Sequence, residues 1–226
     1  MREYAKLPVM GALIVAILCG MGAVDVVSRR SACYTMAHVG LSYFESRAGH
    51  PHLALAHADH AVRCNPELAL THHRRSAAFA ELGQVTEALD ELRLATALAP
   101  ADTRAKWSET GQFFEDQGAW TAAASTYSEA AALFPNDPEG PMLAGLLYQY
   151  RLGDAEQAIP RYRTVLERLP THYGAHYQLA LALLSAGRQA DAVAAWRDFL
   201  PLAAAIDDRA SVESAPAALR GVAKGR

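Results

Sequence analysis

The sequence predicts an all-α chain of about five helix–turn–helix repeats preceded by one hydrophobic helix. Prolines 66, 100, 135 and 170 close successive segments at spacings of 34, 35 and 35 residues. A turn pattern recurs ahead of helical stretches, as LGQVTEA at Leu82–Ala88, LGDAEQA at Leu152–Ala158 and AGRQADA at Ala186–Ala192. Leu7–Val27 is an apolar run with a single charge, Asp25. A fixed period of this size is the signature of an array in which each unit buries its apolar face against the next.

The amino-terminal segment stands apart from the array. At about 1.5 Å per residue, a helix over 7–27 spans roughly 31 Å, the thickness of a hydrocarbon core. Arg2 and Lys6 precede the run, and Arg29 and Arg30 follow it. A cleavage site after Gly22 would have Gly20 and Gly22 at its two key positions. Three readings stay open for residues 1–30: a retained transmembrane anchor, a cleaved signal segment and a buried helix of the soluble domain. A short flank carrying Arg and Lys stays in the cytoplasm, which puts the rest of the chain on the far side. The expected location is the inner membrane, single-pass, with the repeats in a periplasmic or other extracytoplasmic space.

Five copies can be aligned in phase. The fullest has Trp107, Gly111 and Phe114 on its first helix, Gly118 at the turn, Ala123, Tyr127 and Ala130 on its second helix, and Pro135 at its close. The others carry Ser42, Gly49, Ala54, Ala58 and Ala61; Ser76, Gly83, Ala88, Leu92 and Ala95; Gly145, Gly153, Ala158, Tyr162 and Val165; and Ala180, Leu183, Gly187, Ala192 and Trp196. Small residues let helices approach, and large ones fill the space beside them. This pattern resembles the tetratricopeptide repeat, a helix–turn–helix unit of 34 residues, over about Cys33 to Ala204.

The resemblance implies a right-handed α-solenoid over residues 31–206, with repeats near 33–66, 67–100, 101–135, 136–170 and 171–204. Residues 207–226, rich in Ala, Ser, Gly and charge, are expected to form a flexible tail. Pro160 predicts a kink or a late start in its helix, and Pro201 an interruption of the last one. The spacing from Gly145 to Gly153 predicts a first helix one residue longer in the fourth copy.

Cys33 and Cys64 lie equally far from the Ala48–Gly49 turn of the first hairpin, so they are expected at the same level. A disulfide there would add ~3 kcal/mol and would require an oxidising compartment. Two unrelated buried thiols are the other reading. His50, His52, His57, His60, His72 and His73 crowd the first two copies. His57 and His60 share one side of a helix and could hold a metal. Against that, they lie roughly 100° from the alanine stripe, toward an outer flank. The acidic residues Glu87, Asp90 and Glu91 are expected on exposed faces.

Net charge is −3, which leaves no electrostatic footprint for nucleic acid. No phosphate loop, nucleophile elbow, zinc helix or haem motif is present, so an enzyme reading rests on no residues and no cofactor is expected. Proteins of the resembled family bind other proteins through a groove lined by the first helix of each repeat. Here that implies Met36, Val39 and Tyr43; His73 and Ala77; Ser108, Gln112 and Glu115; Leu143, Leu147 and Tyr150; and Tyr177, Leu181 and Leu184. The function expected is a membrane-tethered scaffold that supports a larger complex. It would hold protein partners in its groove and the bilayer through residues 7–27. The alternatives are a secreted metal-binding protein using the His50–His73 cluster and a non-catalytic accessory subunit.

Overall fold

The computed structural model describes residues 26–219, with side chains from Tyr34 onward. All but the last two residues of the apolar run 7–27 therefore lie outside the described residues, as does the side chain of Cys33. Among the described residues no helix is long and apolar enough to cross a membrane, and no strand occurs. The helices are α1 (Val26–Arg47), α2 (Pro51–Cys64), α3 (Ala69–Glu81), α4 (Val85–Leu98), α5 (Pro100–Asp116), α6 (Trp120–Leu133), α7 (Glu139–Tyr150), α8 (Ala155–Arg168), α9 (Tyr173–Ser185), α10 (Gln189–Ala205) and α11 (Arg209–Ser214). The chain divides between Thr110 and Gly111 into two compact units.

In the first unit α1 pairs with α2 and α3 with α4, while α2 and α1 both reach α3. The turns close on glycines with positive φ, Gly49 at 78° and Gly83 at 72°. An L side chain is strained there, so glycine ends one helix and lets the next return antiparallel. Pro51 opens α2 at a position whose N–H has no helical partner to lose. The motif residues Ala54, Ala58 and Ala61 on α2, and Ala88, Leu92 and Ala95 on α4, have no exposed surface. Trp107 of α5 is fully buried, and its indole N–H donates to Thr96 Oγ1 at 2.9 Å.

A polar network also runs through this unit. Glu91, expected on an exposed face, is buried on α4. Its carboxylate lies 2.8 Å from His72 Nδ1 and accepts from Arg75 Nη2 at 2.6 Å. The other ring nitrogen of His72 lies 2.8 Å from the Pro66 carbonyl. Arg75 also reaches Asp59 of α2 at 3.5 Å. Two basic side chains one helical turn apart thus satisfy a carboxylate that could not be buried alone.

In the second unit each helix from α6 to α10 packs on the next. Tyrosine rings lie directly on glycines across the hairpins. A Cβ on Gly111 would come within 2.4 Å of the Tyr127 ring, and one on Gly145 within 2.6 Å of the Tyr162 ring. Each hydroxyl then donates to a side chain four residues after its glycine, Tyr127 to Glu115 and Tyr162 to Gln149, both at 2.7 Å.

The structure corrects several expectations. Gly145 to Gly153 does not lengthen a helix: α7 ends at Tyr150, and the extra residue widens the turn. Asp154 N–H bonds back to Tyr148, six residues away, where Ala119 bonds to Phe114, five away. Helix α8 runs unbroken through Pro160 from Ala155, and α10 through Pro201. Both prolines are exposed, so the carbonyls that lose a donor there can turn to water.

The stretch from 207, expected to be flexible, is folded through Leu219. Ala215 and Leu219 are buried in one core with Trp196, Phe199 and Ala203. This segment covers the face of the α9–α10 hairpin that a further repeat would take. Phe199 is buried in this core, its ring tilted against those of Trp196 and Tyr173 with centroids 4.7 Å and 5.0 Å away.

Gly145→Ala should destabilise the protein. Overpacking against Tyr162 costs ~1–3 kcal/mol, more than the ~1 kcal/mol that helix propensity returns. Chemical denaturation checks this, and Gly145→Ala combined with Tyr162→Leu should recover most of the loss. Leu219→Ala should cost ~2–4 kcal/mol if the tail is part of the core, and close to nothing if it is not.

Candidate functional site

The implied groove positions divide by exposure. In the first unit Met36 and Tyr43 on α1 are exposed, Val39 and His73 are buried, and Ala77 and Ser108 are half-buried. Val39 and His73 thus belong to the packing rather than to an open face. In the second unit Gln112 and Tyr150 are exposed, and Leu147 is buried. Glu115, Leu143, Tyr177, Leu181 and Leu184 are half-buried. Tyr177, Leu181 and Leu184 lean on the Trp196–Phe199 core. Tyr150 donates its hydroxyl to Gln178 of α9 at 2.7 Å, which ties the end of α7 to the middle of α9.

The structure adds residues to the first-unit face. Arg74 of α3 stacks on the Tyr43 ring, its guanidinium carbon 4.9 Å from the centroid. Arg47, one turn after Tyr43, approaches the same ring at 5.8 Å and donates to its hydroxyl at 3.4 Å. Lys106 of α5 is held by Glu109 at 2.8 Å. The signal was in the sequence, since Arg47 follows Tyr43 by four residues and Arg74 precedes Ala77 by three.

Burial shapes the electrostatics of this face. Desolvation, then the charges of Arg74 and Lys106, lowers the pKa of His73 to about 3. The ring is neutral at physiological pH, and its Nδ1 is buried without a hydrogen-bond partner. Desolvation also lowers Arg74 from its ordinary value, and Tyr43 and Glu109 oppose that shift.

The histidines of the first hairpin form a separate group. His38, passed over in the sequence, faces the two histidines considered as ligands. Its Nδ1 is 3.0 Å from that of His57, and its ring centroid is 4.4 Å from that of His60. Arg63 donates to His60 Nδ1 at 2.9 Å. Partial burial, then His60, His57 and Arg63, lowers the His38 pKa. Among the described residues no group of three His, Cys, Asp or Glu is placed to hold a metal ion. Cys64 is a half-buried free thiol; its expected partner Cys33 lies outside the described side chains.

The tetratricopeptide repeat family model matches residues 78–138 and 143–218, more than half of the chain. The chain belongs to the tetratricopeptide repeat family. Among solved structures, this repeat protein is similar to the C-terminal part of a repeat-containing protein from Cytophaga hutchinsonii. The TM-score is 0.50 at 14% identity, over 89% of this chain and 76% of that one. It is also similar to MamA from Desulfovibrio magneticus RS-1 (18% identity, TM-score 0.43, 78% and 97% of the two chains). A third is YrrB, described as a repeat protein with an unusual peptide-binding site (17%, 0.44, 74% and 86%). At these identities the likeness is one of fold. No curated protein gives a match. The fold is consistent with a protein–protein interaction scaffold.

The buried neutral His73 makes stability depend on pH. Between pH 6.5 and about 3 the unfolded chain binds a proton that the folded chain does not. The contribution is therefore complete above pH 6.5 and is lost as pH falls below it. From pH 7 to pH 5 the protein should lose ~2 kcal/mol through this group. In urea denaturation at the two pH values, His73→Gln should not show that part of the loss.

Proposed function

We propose that the protein is a membrane-tethered scaffold that binds partner proteins on the first helices of its hairpins and supports the assembly or stability of a larger complex at the membrane. The observation that carries the reading is the exposure of large side chains on those helices. Met36 and Tyr43 on α1 and Tyr150 on α7 are exposed beside buried neighbours on the same helices, Val39 and Leu147. Aromatic residues presented in this way are effective anchors for a partner chain. The tether is argued from the sequence: residues 7–27 have the length and apolarity of a span. The basic residues ahead of it favour an extracytoplasmic position for the repeats. The role assigned is binding rather than catalysis.

A photo-crosslinking amino acid at Met36, Gln112 or Tyr150, in the full chain in its native membranes, should capture the same partner. The same group at Asp90, exposed on the second helix α4, should not. Capture at neither set removes the scaffold reading. Deleting residues 7–27 should move the chain from the membrane fraction to the soluble one, and an unchanged soluble full-length chain removes the tether.

A further inference from the structure

We propose that the face formed by α1, α3 and α5 of the first unit takes an acidic stretch of a partner polypeptide, with the Arg74 guanidinium stacked on Tyr43 as its carboxylate receptor. This rests on the scaffold reading and names the partner chemistry for one part of it.

Arg74 has no ion-pair partner among the described residues. It lies over the Tyr43 ring, and its Nε is buried with no hydrogen-bond acceptor. A guanidinium held over an aromatic ring is positioned to receive a planar carboxylate through two parallel N–H donors. Arg47 lies 5.8 Å from the centroid of the same ring and likewise makes no ion pair among the described residues. The carboxylate nearest in effect, Glu109, is engaged through both oxygens by Lys106. The buried Nδ1 of His73 lies beside these cations without a partner.

Charge decides between classes of anionic partner. The face holds three cations, Arg47, Arg74 and Lys106, against two carboxylates, Glu109 held by Lys106 and Glu81 held by Ser46, and His73 adds no charge. That surplus suits one carboxylate. It is too small for a nucleic acid backbone, which needs a stripe of cations. The chain as a whole is slightly acidic, so an acidic segment is drawn to this face rather than to the surface at large.

The test is fluorescence anisotropy of the full chain with a labelled hexaglutamate peptide, a hexaglutamine peptide and an oligothymidine. Hexaglutamate should bind, hexaglutamine should not, and added salt should weaken the complex. Arg74→Gln should weaken hexaglutamate binding about 10-fold or more, and Tyr43→Phe should preserve it. Glu109→Gln, which frees Lys106 and removes a competing carboxylate, should tighten binding, a gain that a misfolded variant cannot produce. The proposal is overturned if hexaglutamine binds equally or if Arg74→Gln with an unchanged melting curve binds like the parent. It is also overturned if oligothymidine binds more tightly with the same dependence on Arg74. If crosslinking captures a partner while hexaglutamate fails, this inference falls and the scaffold reading stands. If nothing is captured, the scaffold reading falls.

Discussion

A ring laid over a glycine sets the distance between helices in the second unit, and the rest of each hairpin follows from that distance. Tyr127 covers Gly111 and Tyr162 covers Gly145 at separations that leave no space for a methyl group. Helices this close exclude water from the alanines beside them, which is why Ala123, Ala124 and Ala158 have no exposed surface. The ring also brings a hydroxyl to the far side of the first helix. There it meets Glu115 or Gln149, so the same residue that fixes the spacing fixes the rotation of the helix. Burial, and for Tyr127 the adjoining Glu115 carboxylate, pushes both hydroxyls well above their ordinary range and keeps them donors at any physiological pH. Exposed positions on these first helices, such as Gln112 and Tyr150, take their orientation from that rotation.

The repeat was legible because it is written in small residues and turns at a constant period, and both are demanded by local geometry. What stayed hidden depends on which neighbour a residue meets. Glu91 looks like its exposed neighbours Glu87 and Asp90 until His72 and Arg75 are brought against it from another helix. The same helix-pairing rule that places Cys33 level with Cys64 places His38 opposite residue 59, between His57 and His60. Pro160 does not delay the start of its helix and Pro201 does not end its own, because the carbonyl each leaves without a donor lies on an exposed face and can turn to water.

The end of the array misled for a different reason. Composition marks residues 207–219 as soluble and small, and such segments are commonly loose. The decisive feature lies elsewhere, in the unpaired apolar face of the last hairpin around Trp196 and Phe199. A face of that kind needs a cover, and among the described residues the segment that follows it supplies one. Ala215 and Leu219 are sufficient, because a short segment with two apolar contacts can close a face one hairpin wide.

The run His72–Arg75 joins packing to function in the first unit. With about 100° between successive residues, His72, Arg75 and Ser76 fall on one side of α3, and His73, Arg74 and Ala77 on another. The first set is spent on structure: His72 and Arg75 hold Glu91, and Ser76 donates to the Ala88 carbonyl. Those bonds to α4 fix the rotation of α3. The second set is turned toward α1 and α5, where Arg74 meets Tyr43 and His73 is buried without a partner. A change at Glu91 would therefore be felt at Arg74, although the two side chains leave the helix on different sides. The buried acid matters to the exposed face because it holds the helix that carries the guanidinium.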